Sequence, residues 1–234
     1  MRPYEVRHTN WQDPRRGLLK VGRVDVVIVD PPYTEHIHAN LPNGKELGFA
    51  PLLAEERFEF ASAMAQVVER WVFIFCAMEE CGAWADDLER AGIEHVRSGF
   101  WEKLNACPQM TGDRPASPGE TFVIGHARKS NGKPKRKEWN GGGRHAKYST
   151  TRARGKGHPC EKPLPLMEAI VRDFTRPGEL IADPYCGSGS TLVAAKRCGR
   201  RAIGWETQKR WADLARRRVS KARQQFDLFE GTAA

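Results

Sequence analysis

The sequence predicts an α/β domain built on a mostly parallel sheet, and three observations carry that prediction. Apolar runs too short for helices recur along the chain, alternating with segments of helical spacing. Two of those runs, Val24–Val29 and Leu180–Ala182, each lead into an Asp-Pro step. The second opens the stretch Gly178–Glu206, which reads as strand, glycine turn, small-residue helix, strand and acid. That order is half of a nucleotide-binding α/β unit.

Within this stretch the turn is Asp183-Pro184-Tyr185-Cys186-Gly187-Ser188-Gly189, and Thr191–Cys198 is the helix. Gly187 and Gly189 allow a ligand close to the backbone. Ala202–Trp205 is the following strand, and Glu206 ends it where an acid can hold two ribose hydroxyls. A dinucleotide fingerprint would need a third glycine where Leu192 stands, and no lysine completes a phosphate loop. Asp183 would repel a phosphate. It suits a cationic ligand, and S-adenosylmethionine has an ammonium, a sulfonium and a ribose.

From the N-terminus, Tyr4–Arg7 is expected as a short strand. Val24–Val29 is almost wholly β-branched, as a strand buried on both faces would be. It ends in Asp30-Pro31-Pro32-Tyr33, where two prolines stop the strand and fix a carboxylate beside an aromatic ring. Thr34–Gly48, with His36, His38, Asn40, Asn43 and Gly44, reads as a mobile loop beside that site. Leu52–Arg70 has helical spacing, Trp71–Cys76 is a buried strand, and Cys81–Ala91 is a helix closed by Gly92. Ile93–Trp101 and Thr121–Gly125 are further strands, with a Pro/Gly-rich loop between them. Leu164–Phe174 is an amphipathic helix packed through Leu166, Met167, Ile170, Val171 and Phe174. Thr207–Gln225 is the last helix, with Trp211, Leu214 and Ala215 inward, and the tail from Phe226 is expected to fray.

The chain has 234 residues, 40% of them hydrophobic, enough for one α/β domain with a real core. No run approaches a membrane span and no secretory leader is evident, so a soluble cytoplasmic protein is expected. Six cysteines are scattered without a CxxC pair and read as free thiols. His158 and Cys160 find nothing nearby to complete a metal site. The net charge of +9 points to a polyanionic partner. It concentrates in the C-terminal helix and in Lys129–Lys156, which holds ten Lys/Arg and one acid. That stretch, with Trp139 and Tyr148, reads as a segment ordered on nucleic acid rather than a solvated linker.

Asp30-Pro31-Pro32-Tyr33, Trp101-x-Lys103, His158-Pro159-x-x-Lys162-Pro163 and Asp183-Pro184-Tyr185-x-Gly187-Ser188-Gly189 occur in that order. The set resembles the β class of amino-methylating DNA methyltransferases, in which the catalytic motif precedes the cofactor motif. The resemblance runs from about Val24 to Arg218. It implies the Rossmann-like methyltransferase fold, with a circularly permuted motif order and a seven-stranded sheet containing one antiparallel strand. It also implies S-adenosylmethionine as donor and double-stranded DNA as partner, with the target base flipped out. A homodimer is left open, and the source implied is a bacterium or phage. By this resemblance Asp30, Pro31, Pro32 and Tyr33 are catalytic. Asp183, Tyr185, Cys186, Gly187, Ser188, Gly189 and Glu206 hold the cofactor from one side, and His158, Lys162 and Pro163 line it from the other. The family has Phe where Tyr185 stands and Gly-Asp near His8-Thr9-Asn10, so the contact to the cofactor's adenine is unassigned.

Four segments are therefore expected. Residues 1–128 form the catalytic half and 158–225 the cofactor half of one domain. Residues 129–157 form a short basic insert for target recognition, and 226–234 a tail. Lys133, Lys135, Arg136, Lys137, Arg144, Lys147, Arg152 and Arg154 are the candidate DNA contacts. Asp at the first motif position leans towards adenine N6. N4-cytosine methylation, RNA methylation and a non-catalytic DNA-binding module are the alternatives.

Overall fold

The computed structural model describes residues 2–33, 51–108, 110–130, 133–134, 137–152 and 161–224. The loop 34–48 with its histidines, His158, Lys135, Arg136, Arg154 and the tail from Phe226 lie outside the described residues.

The strands are β1 (Tyr4–His8), β2 (Val24–Val29), β3 (Val68–Cys76), β4 (Ile93–Lys103), β5 (Gly119–Ala127), β6 (Lys129–Ser130), β7 (Lys133–Pro134), β8 (Lys147–Thr150), β9 (Leu180–Asp183) and β10 (Arg201–Glu206). The helices are α1 (Ala54–Val67), α2 (Cys81–Arg90), α3 (Leu164–Phe174), α4 (Ser190–Arg197) and α5 (Lys209–Lys221). The main sheet runs β1-β10-β9-β2-β3-β5-β4-β8, and only β5 opposes its neighbours. The single antiparallel strand is as expected. The sheet has eight strands rather than seven, because the basic insert adds β8 in parallel beside β4.

Alternate residues of β2 serve two cores, which is why the run is apolar throughout. Val27 and Val29 pack with Phe60 and Met64 of α1 and with Trp84 and Leu88 of α2. Val26 and Ile28 pack with α3, with Leu192–Ala195 of α4 and with Val219 of α5. Helix α1 stops at Val67 rather than Arg70. Val68 is extended (φ −77°, ψ 135°), and Glu69 and Arg70 already belong to β3. Arg70 is held there by Glu179 and by the Glu138 carbonyl at 2.9 Å.

Within the insert, residues 137–152 are tied to the domain by side chains. Trp139 and Tyr148 face inward, packing near Phe174 and Phe122. The Tyr148 hydroxyl donates to Asp173 Oδ2 at 2.7 Å, and Asn140 caps the end of α3 through the carbonyls of Arg172 and Thr175. Two large aromatics are enough to anchor the segment, yet too few to give a hydrophobic period.

Gly189 opens α4 at φ +84°, and a Cβ there would stand 2.8 Å from that of Ala215 on α5. Gly189→Ala is therefore expected to destabilise the fold by roughly 2–4 kcal/mol, from left-handed strain plus overpacking. Urea unfolding checks this, and an unchanged midpoint would show that α5 can retreat freely.

Candidate active site

Strands β10, β9 and β2 are neighbours and parallel, so their carboxyl ends open at one edge. Glu206 ends β10, Asp183 ends β9 and Asp30 follows β2. With strands about 4.8 Å apart, Glu206 and Asp30 flank Asp183 about 10 Å from one another. Gly204 pairs with Asp183 and Val27 with Ala182, so Asp183 is set back about two residues between them. Ligands of open α/β sheets bind at such an edge.

Asp183 is 3% exposed. Its Oδ1 accepts from the Tyr185 amide at 3.2 Å, and the Thr191 hydroxyl also bonds to it. Burial outweighs those bonds, and with the negative charges of Asp30 and Glu206 it pushes the carboxyl up to about 7. Burial also raises Glu206, although the Gln208 amide donates to its Oε1 at 2.6 Å and the amides of Gly187 and Thr207 assist. A buried and a half-buried acid whose hydrogen-bond donors are neutral leave this strand edge short of positive charge. That is the complement of a ligand carrying an ammonium and a sulfonium, so the residues present fit S-adenosylmethionine.

The glycine turn is fixed from behind. The Cys186 amide donates to the Trp205 carbonyl at 2.9 Å, and the Cys186 side chain packs on Gly204, where a Cβ would come within 2.7 Å. Arg218 of α5 donates to the Ser188 carbonyl (2.8 Å) and hydroxyl (2.6 Å) and pairs with Glu161 at 2.8 Å. Ser188 and Cys186 therefore shape the turn with their side chains. Tyr185 points into the core: its ring meets Phe60 edge-on at 5.4 Å, and its hydroxyl accepts from the Trp11 indole at 2.8 Å. That indole gives the hydroxyl a partner that Phe would lack.

Asp30 faces a different environment. Lys162 is expected from the sequence to line the cofactor, but its Nζ lies 2.5 Å from Asp30 Oδ2 and 3.1 Å from Glu120 Oε2, over the ring of Phe75. Lys103 Nζ lies 2.5 Å from Glu120 Oε1, and the Tyr33 hydroxyl donates to Glu120 Oε2 at 3.0 Å. Burial raises Asp30, with Lys162 opposing. Burial also acts to raise Glu120, but Lys162 and Lys103 outweigh it and hold that carboxyl at about 2. Burial and the two carboxylates keep Tyr33 protonated. Pro31 is buried, Pro32 half-buried, and Pro163 caps α3, presenting Lys162.

Sequence reasoning singles out Lys103 only as part of a motif and misses Glu120 and the Arg218–Glu161 clamp. The direction of β5 is the signal for Glu120. In an antiparallel strand the first residues, not the last, lie at the ligand edge.

Among the insert cations, Lys137 pairs with Glu94 at 2.6 Å and Lys147 with Glu102 at 3.0 Å, while Arg144 pairs with Asp173. Arg152 donates to the Asn105 carbonyl at 3.4 Å. For Lys133 only the backbone is described. The Lys137 and Lys147 pairs are exposed and worth little, so turning to a phosphate would cost little, whereas Arg144 is the counter-ion of a buried Asp173.

A doubly wound sheet with an acidic glycine turn at one strand end and an Asp-Pro-Pro-Tyr turn at the next defines the S-adenosylmethionine-dependent methyltransferase class. Residues 24–217 match the family profile described as DNA methylase (N6_N4_Mtase), and the chain belongs to that family. S-adenosylmethionine is the family's methyl donor.

Two curated relatives are the type II methyltransferases M2.DpnII of Streptococcus pneumoniae and M2.LlaDCHI of Lactococcus lactis subsp. cremoris. The first is 33% identical over 145 residues, 56% of this chain and 53% of the relative. The second is 33% identical over 149 residues, 57% and 54%. The chain thus spans about half the length of the curated relatives it matches. The crystal structure of the M1.HpyAVI–SAM complex superimposes with a TM-score of 0.70 at 24% identity, covering 92% of this chain and 99% of that one. The cytosine-N4-specific PvuII DNA methyltransferase gives 0.69 at 14% identity, over 92% and 88%. These two likenesses show the fold. No helix of the described residues is long and apolar enough to cross a membrane.

Proposed function

We propose that this protein transfers a methyl group from S-adenosylmethionine to the exocyclic N6 amine of adenine in DNA. The observation that carries the reading is Asp30 beside Asp183, one carboxylate for an amine and one for a cation, on adjacent strand ends. When bound, S-adenosylmethionine supplies an electrophilic methyl on a sulfonium. An exocyclic amine is a poor nucleophile because its lone pair is delocalised into the ring. The Asp30 carboxylate and the Pro31 carbonyl accept its two hydrogens, which favours a pyramidal nitrogen with a usable lone pair. Asp183, Glu206 and the Gly187–Gly189 turn would hold the donor, so positioning and electrostatics would supply the rate. The base must leave the duplex to reach Asp30, and the Tyr33 ring is its stacking face.

Adenine is favoured by Asp, rather than Ser, at the first motif position. N4-cytosine is the second reading, because the PvuII enzyme that shares this fold is cytosine-N4-specific. Radiolabelled transfer to DNA, RNA and protein side by side, followed by nucleoside analysis of the labelled polymer, tests the proposal. Label in N6-methyladenine of DNA is expected. Label confined to RNA, to protein or to cytosine would overturn it.

The insert, the expected target-recognition segment, is proposed to grip the DNA backbone. Replacing Lys133, Lys135, Arg136 and Lys137 together with Ala should weaken binding and flatten the log–log salt dependence by roughly 0.9 for each phosphate no longer neutralised. An unaltered slope would make the insert a structural edge only.

A further inference from the structure

A glutamate with both oxygens occupied by three donors invites a plain explanation, a buried ion cluster that holds strands together. Such clusters contribute little net stability against apolar packing. The partners of Glu120 point to another role. Its Oε2 takes the Tyr33 hydroxyl at 3.0 Å and Lys162 at 3.1 Å, and its Oε1 takes Lys103 at 2.5 Å. Lys162 in turn lies 2.5 Å from Asp30 Oδ2. Glu120 therefore reaches the amine acceptor through Lys162 and the stacking ring directly.

We infer that Glu120 is a positioning residue that divides Lys162 between two carboxylates and anchors Tyr33. One side chain thereby sets both the acceptor and the stacking face for the extruded base. The inference rests on the reaction proposed above. Without Glu120, Lys162 donates to Asp30 alone, and the carboxylate's lone pairs are drawn from the target amine to the ammonium. Tyr33 simultaneously loses the bond that fixes its ring. Lys103 acts one step further out, holding Glu120 ionised and in place.

The test has one arm that needs no substrate. The charged and titratable groups facing Asp30 are Lys162 ahead of α3, Glu120 on β5, Lys103 on β4, Asp183 on β9, and Tyr33 of its own loop. Removing the like charge of Glu120 should lower the Asp30 midpoint. Carbon-13 NMR of the free protein is expected to show Glu120→Gln shifting it down by about one unit.

In the second arm, single-turnover methylation by Glu120→Gln should fall by about tenfold, the worth of one charge-assisted hydrogen bond, with cofactor affinity unchanged. In the third, 2-aminopurine fluorescence reports base capture. Tyr33→Phe should weaken capture in the native background and add nothing in Glu120→Ala, because coupled residues are not additive.

An unmoved Asp30 midpoint in Glu120→Gln, an unchanged rate, or full additivity of Tyr33→Phe with Glu120→Ala would overturn the inference. If the native protein transfers no methyl to DNA, the proposed reaction fails. The NMR arm then still decides whether Glu120 controls Asp30.

Discussion

Asp30→Ala is expected to lower single-turnover methyl transfer by roughly 10²–10⁴-fold while leaving cofactor and DNA binding nearly intact. In the proposed reaction the carboxylate interacts most strongly with the amine as the nitrogen pyramidalises. An interaction made mainly in the transition state lowers turnover when removed, with little change in binding. The fold should tolerate the change, because Lys162 retains Glu120 at 3.1 Å as a counter-ion. Asp30→Asn is the sharper variant. The Lys162 ammonium would draw the amide oxygen towards itself and leave the NH2 facing the substrate amine, donor against donor. Tyr33→Ala should fail differently, by weaker capture of the extruded base, and a mismatched target should partly rescue it. A near-native single-turnover rate in Asp30→Ala would place the chemistry elsewhere.

Asp183 should make cofactor affinity depend on pH in the neutral range. Its carboxyl is pushed up to about 7 by burial, so it is largely protonated near pH 6 and ionised near pH 8. Only the ionised form attracts the cofactor's positive charges. Affinity for S-adenosylmethionine should therefore be roughly tenfold weaker near pH 6 than near pH 8, and Asp183→Asn should be weak and flat.

Stability runs the other way. A carboxyl whose folded pKa lies above its unfolded value binds its proton more tightly in the fold. Its contribution is complete below about pH 4 and is lost as pH rises through about 7, amounting to about 4 kcal/mol at most. Asp30 and Glu206, also raised by burial, act in the same direction. Saturating cofactor should consequently raise the melting temperature more at pH 8 than at pH 6. Calorimetry giving the same affinity at both pH values would remove Asp183 from the cofactor site.

Much of this is legible in the sequence because it is local. Val24–Val29 and Leu180–Asp183 are strands by composition, and an Asp-Pro step ends a strand for covalent reasons. The helix Leu164–Phe174 has the expected bounds and buries the expected apolar residues, with Asp173 beside them. The relations that sequence does not show depend on the sheet. Glu120 reaches the site because β5 runs backwards, and Lys162 reaches Asp30 from 132 residues away. Neither relation leaves a trace in local spacing. In the described part of the insert, charge dominates the composition, while Trp139 and Tyr148 supply the packing, against Phe174 and Phe122. Helix α1 is shorter than its periodicity suggests because Val68-Glu69-Arg70 fits either period and only pairing with β2 settles it.

Whether Asp30 activates an adenine amine for methylation can be read in cellular DNA. Long-read sequencing of DNA from cells expressing the native chain or Asp30→Ala reports the modified base and its sequence context together. N6-methyladenine is expected at a recurrent site with the native chain and none with the variant. Unmodified DNA from both cultures, or equal modification in both, would contradict it.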